Sequence, residues 1–269
     1  MAMSRRKRGQ VIRSTQYTVL IIAIGVLALV ADWQTIRDAF FNVDAAAQQF
    51  PAILTSALVN TVIYTSLGFA LGLGLGLVLA LMKLSSVPPY RWIATVYIEF
   101  FRGIPALLVF IAFGFGVPLA FGLVFDIYST AAISLGLVGS AYIAETIRAG
   151  IQAVPPGQVE AARSLGMSQT RTTITIVIPQ AFRIVLPPLT NELILLTKDS
   201  SLIYLLGLTR DNYELTKFGR EALNATNSLT PILLAGLCYL IITIPLGYLS
   251  RQLERRSGKK RDRGLEVAA

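Results

Sequence analysis

VEAARSLGMSQTRTTITIVIPQ, residues 159–180, is a polar, helix-favouring stretch with one glycine and a closing proline, set in a chain that is otherwise strongly apolar. Its reading decides the fold, because a water-facing insert of this length implies that the apolar segments around it lie in another medium. Pro155-Pro156-Gly157 breaks the chain just ahead of it. Val159 to Leu165 then suits a short helix with Glu160 and Arg163 exposed. Gly166 is free to take a positive φ and turn the chain. Ser168 is a natural N-cap for a second short helix, and Pro179 is expected to end the segment. The pattern is helix, tight turn, helix, lying flat against a membrane face. Periodicity alone also fits a plain amphipathic linker resting on lipid.

Composition supplies the medium. The 269 residues are 54% hydrophobic and only 14% charged, where soluble domains run nearer one quarter charged. Mean hydropathy is +0.62. A net charge of +9 would suggest nucleic acid in a soluble protein; here the basic residues cluster at the flanks of apolar segments, which argues against that partner. The single cysteine, Cys238, permits no internal disulfide. The absence of histidine excludes Ser-His and Cys-His nucleophile pairs and the HExxH zinc site.

A spanning helix needs about 20 mostly apolar residues. Six stretches approach that length: Tyr17 to Trp33, Leu54 to Met82, Thr95 to Gly122 with Pro105 near its start, Ile127 to Gly150, Ile184 to Leu208, and Pro231 to Leu249. The expected fold is therefore an all-α membrane protein of about six transmembrane helices. With both termini in the cytoplasm, the inside segments hold Arg5, Arg6, Lys7, Arg8, Arg13, Lys83, Arg91, Arg163, Arg171, Arg183 and seven basic residues of the tail. The outside segments hold Arg37, Arg210, Lys217 and Arg220. That asymmetry follows the positive-inside rule and puts 159–180 on the cytoplasmic side. Residues 1–16 form a basic N-tail and 251–269 a basic C-tail. The first segment, 17–33, also fits a signal peptide; the other five crossings keep their orientation either way. In "LGLGLGLVLA", Gly68, Gly72 and Gly76 fall four apart on one helix face, a small-residue surface for close helix approach.

Several motifs in order carry a family likeness. Glu160-Ala161-Ala162, three residues, Gly166, nine residues, Ile176, one residue, Ile178, Pro179 resembles the EAA loop of ABC-importer permeases, with Ile178 where leucine is usual. "EFFRGIPALLV" resembles the RGTP segment of the polar amino acid permeases, with Ile104 in place of threonine. "AYIAETIRAGIQAVPPGQVEAARSLGMS" and "IVLPPLTNELILLTKDSSL" resemble the same subfamily. The likeness covers about 54–250, the five-helix core; the helix at 17–33 is extra. It implies a permease subunit of an ATP-driven importer of polar amino acids in a bacterial inner membrane. Its coupling loop, 152–180, would dock on a separate cytosolic ATPase dimer that binds ATP and Mg. The implied partners are a second permease subunit, like or related, and an extracytoplasmic solute-binding protein. The 209–229 loop is the candidate contact for the latter. No cofactor or metal is expected in this chain. Small Ala161 and Ala162 would allow close docking, and Glu160 and Arg163 would pair with the partner or face water.

Polar groups at membrane depth are costly and usually face a bundle interior or a water-filled cavity. Lys198 and Asp199 are the deepest. Consecutive residues point about 100° apart on a helix, so the two do not pair; each either joins a buried ion pair or lines a translocation path. Glu192 is expected to pair with Arg102 or Arg183, and Glu145 with Arg148 three residues on. Ser56, Asn60 and Tyr64 form a polar stripe that either lines the path or bonds to neighbouring helices. A self-contained secondary transporter using these charges is the rival reading, but internal repeats and further crossings are not found.

Overall fold

The computed structural model describes residues 5–266, with side chains from 9 to 256; among these there is no strand. The first helix, α1 (Arg5–Val30), is apolar from Gly9, and none of its spanning residues is buried by the rest of the chain. The span ends at Val30, short of the expected Trp33. The reason is Asp32, whose carboxylate accepts from the amides of Gln34 and Thr35 and starts a new helix, α2 (Trp33–Phe40). Asn42 caps α3 (Val43–Ala47) in the same way.

The core begins with α4 (Leu58–Leu84), entered through a wide turn at Ile53–Ala57. Next come α5 (Pro88–Gly103), α6 (Ala106–Ile111) and α7 (Val117–Phe121). The single third helix expected from Thr95 to Gly122 is instead two arms, Pro88–Gly103 and Ala106–Phe121, bent by 102°. Pro105 is the cause: it pushes Ile104 into an extended conformation (φ −102°, ψ 145°) that no α-helix continues through.

The long α8 (Ile127–Gln152) fixes the topology. It packs along α4 through the glycine face. A Cβ on Gly68 would lie 2.4 Å from Leu135, one on Gly72 3.3 Å from the Gly136 carbonyl, and one on Gly76 2.8 Å from Ile143. Numbers rise together, so α4 and α8 run parallel, and the bent pair between them must return across the membrane as one crossing. The next long helix after α8, α11 (Ile178–Asp199), runs antiparallel to it. Gly150 meets Val185 and Gly139 meets Leu196. The last helix, α13 (Thr230–Glu266), runs back along α11, where Ser250 Oγ donates to Asn191 Oδ1 at 2.9 Å. Five helices are long and apolar enough to span, and the bent pair makes six crossings among the described residues. An even number leaves residues 9 and 256 on one membrane face. The interior is three apolar clusters between these helices, around Ile98 and Ile143, around Tyr64 and Leu135, and around Ile53 and Leu215.

Candidate functional site

The polar insert folds into a turned foot. Its first helix, α9 (Pro156–Ser164), starts earlier than expected, because Pro156 occupies the first helical turn, where a missing N–H costs nothing. Pro155 alone makes the break; Gly157 lies inside the helix. At the other end Gly166 takes φ +83°. Its amide donates to Arg163 O and that of Met167 to Ala162 O, at 3.0 and 3.1 Å. This paired closure satisfies the carbonyls a helix end leaves orphaned. Arg163 braces the same turn, donating from Nη1 to Met167 O at 2.8 Å. Glu160 and Ala161 are exposed, but Ala162 is buried, so only the first of the two alanines is open to a partner. Leu165, at the tip, is 86% exposed.

Past the turn, Ser168 caps α10 (Gln169–Thr172), its hydroxyl accepting from Arg171 N at 3.3 Å. Here the expectation of a segment ended by Pro179 needs correcting. The helix runs unbroken from Gln169 to Leu205. A wide π-type turn at Thr173–Val177, with Ile178 N donating to Thr173 O, comes just before the proline. It shifts the ladder at the point where Pro179 has no N–H to give. Ile176 is half-buried and Pro179 exposed on this stretch. Gln180 Nε2 donates to Ile176 O at 3.0 Å and reaches across to Gln158 Oε1, tying α9 to the continuous helix. The foot is thus fused to the fifth span.

At the same end of the bundle Glu145 forms the expected pair with Arg148, at 2.6 Å, and a second with Lys83 of α4, at 2.5 Å. The lysine is the partner that spacing within one helix does not reveal. Glu192 and Arg102 do not form the expected ion pair among the described residues; the Arg102 guanidinium lies 5.6 Å over the Tyr142 ring instead. Leu196 packs on Gly139, midway along α8, which sets Lys198 and Asp199 near mid-depth. Lys198 is exposed and Asp199 half-buried, and neither belongs to an ion pair among the described residues.

Asn60 and Tyr64 are buried and bond to the outer loop. Asn60 Nδ2 donates to the carbonyls of Asp211 and Tyr213, at 2.8 and 3.0 Å, and Tyr64 Oη to that of Asn212, at 2.9 Å. These carbonyls belong to the tight turn Arg210–Asn212 and to Tyr213 directly after it. The stripe therefore braces the outer loop. The next helix, α12 (Leu215–Thr226), is capped by Glu214, a fully buried carboxylate that accepts from the amides of Thr216 and Lys217, both at 2.6 Å, and from Tyr239 Oη at 3.0 Å. Burial outweighs those donors and pushes the Glu214 carboxyl up to about 7. The sequence shows Glu214 only as one acid of a mixed loop; the position ahead of an amphipathic helix is the signal for a cap.

A bundle of long helices with a water-facing foot on one side and a braced loop on the other is the architecture of a membrane-embedded transport subunit. Residues 72–259 match the family described as binding-protein-dependent transport system inner membrane component, and the chain belongs to that family. It is accordingly a multi-pass inner-membrane permease component. The chain is 36% identical over 200 residues to the probable glutamine ABC transporter permease protein GlnM of Bacillus subtilis, covering 73% of this chain and 91% of that one. To the arginine transport system permease protein ArtQ of the same organism it is 37% identical over 179 residues, covering 66% and 80%. Among solved structures, that of an amino acid ABC transporter with histidines shares 33% identity and a TM-score of 0.73, covering 80% of this chain and 98% of that one. A bacterial alginate ABC transporter shares the fold, at 13% identity and a TM-score of 0.63 over 94% of this chain and 99% of that one.

Proposed function

We propose that the chain forms half of the translocation unit of an ATP-driven importer of polar amino acids, beside a second permease subunit that is identical or related. The foot side faces the cytoplasm, where most of the basic residues between spans collect, as the positive-inside rule requires. The observation that carries the proposal is the fusion of the turned foot, Glu160 to Pro179, to the fifth span: a displacement of the foot moves the helix that bears Lys198 and Asp199. An ATPase dimer with its own ATP and Mg grips Glu160, Ala161 and the exposed Leu165. This chain moves solute without making a covalent bond in it. A solute-binding protein delivers the cargo to the 209–229 loop.

An exposed cation at mid-depth does not rest in lipid, which supports Lys198 lining the path or meeting the second subunit. Relatives named for glutamine, arginine and L-cystine point to amino acids as the cargo class, and Lys198 suits a carboxylate-bearing solute such as glutamine or glutamate. The test is uptake of labelled amino acids into proteoliposomes holding this chain, its ATPase and its binding protein. Uptake that requires all three and ATP is expected. Uptake by this chain alone, driven by a proton gradient, would establish a secondary transporter instead.

A further inference from the structure

The segment between the first two spans is held at the membrane boundary from both ends. At its start it leaves α1 at Val30, where the first span stops. Along its length it is pinned beside the first turn of α13, where the last span begins. Ala39 O accepts from Leu229 N at 2.7 Å and from Ser228 Oγ at 3.0 Å, and Asn42 N donates to Thr230 Oγ1 at 2.9 Å. Ala45 is buried under these contacts. Residues 33–47 therefore lie at the height of the lipid headgroups on the side opposite the foot, whichever way the segment is rolled.

Its composition fits that height. Trp33 is 62% exposed, Phe41 65% and Val43 76%, with Phe50 exposed at the start of the next span. Three large apolar groups within eleven residues are poorly placed in bulk water. The Trp33 indole also points back toward the membrane: its Nε1 donates to Ala28 O at 2.7 Å, two residues inside the end of α1. An amphipathic ring with its N–H satisfied at that depth is the usual occupant of the boundary zone. Asp32, Arg37, Asp38 and Asp44 give the segment a charged complement, as an interface-lying helix needs.

The geometry points to a lipid-facing clasp: α2 and α3 lie in the headgroup region of the far leaflet, with Trp33, Phe41 and Val43 turned into it, and tether the otherwise unpacked α1 to the start of α13. The occupant of the exposed face is the lipid surface, because the face is continuous with the lipid-exposed flank of α1.

The chain has two tryptophans, so Trp92→Phe leaves Trp33 as sole reporter. The full-length variant is placed in phosphatidylcholine nanodiscs whose acyl chains carry bromine either near the headgroup or near the chain end. Stronger quenching by the shallow bromines than by the deep ones is expected, with emission blue-shifted from that of tryptophan in water. A second measurement keeps both tryptophans: a spin label on Phe41→Cys in a Cys238→Ser background should be relaxed more by oxygen than by a water-soluble nickel chelate. Trp33 unquenched by either lipid and fully open to acrylamide would overturn the proposal. So would acrylamide quenching that disappears only when the solute-binding protein is added, which would make the face a protein contact.

Discussion

Gly166 and Glu214 show how single residues set the two ends of the molecule. A β-branched residue at φ +83° costs about 1–2 kcal/mol against glycine, and nothing crowds the site, so the strain acts on the turn alone. Gly166→Val should lower ATP-driven uptake severalfold while the subunit stays in the membrane and ATP hydrolysis continues; parallel uptake and ATPase assays check this, and normal uptake would count against the turn as a working part. For Glu214 the sign runs the other way from an ordinary surface acid. Its carboxyl rises from 4.5 to about 7 on folding, so the folded state binds the proton more tightly. The stability this gives is complete below 4.5 and is lost as pH climbs through 7. The wild-type melting temperature should fall across that window, and Glu214→Gln should flatten the curve. At this scale the sequence exposes the turn glycine and the Ser168 cap, because both act locally. It does not expose Lys83 as a partner of Glu145, nor Asn60 and Tyr64 as braces for 210–213, since those contacts join residues far apart in the chain.

Helix pairing is decided by small residues and prolines. The glycine face of α4 reads directly from its four-residue spacing, and α8 sits where that face predicts. Gly76→Leu would drive side-chain atoms into Ile143 and the Ser140 carbonyl; overpacking of this kind costs about 1–3 kcal/mol, and a lowered melting temperature in detergent is the expected readout. The Lys83–Glu145–Arg148 cluster joins the same two helices at the foot end. Glu145→Ala leaves two half-buried cations facing each other and should destabilise the pair of helices in the same assay, more than Lys83→Ala does. Proline effects are less legible. The apolar run through Pro105 suggests one straight crossing, yet that proline bends it; Pro179 suggests a stop, yet a π-type turn absorbs it. A proline forbids one hydrogen bond, but whether the chain breaks or detours depends on what packs against the bend, and Gln180 with Gln158 supplies that support only at Pro179. The helices α2 and α3 follow Asp32 and Asn42 caps, and a search for spanning lengths misses them because they are too short to span.

Over the whole molecule, the apolar spans yield the order of the crossings, and the parallel register of α4 and α8 agrees with that order. What the linear pattern could not contain is that the second half of the foot and the fifth span are one continuous helix from Gln169 to Leu205. That continuity makes the proposed mechanism mechanical: in it, force applied at 160–165 would pass through the Gly166 turn and the Gln158–Gln180 tie into Gln169–Leu205, which carries the mid-depth charges. The most direct test is a disulfide or short crosslinker from Glu160→Cys, in a Cys238→Ser background, with the co-expressed ATPase present in intact membranes. Crosslinking to the ATPase subunit, and labelling of the introduced thiol only after the cytoplasmic face is opened, is the predicted result. Labelling of that thiol from outside sealed cells, or crosslinks to the solute-binding protein in place of the ATPase, would contradict it.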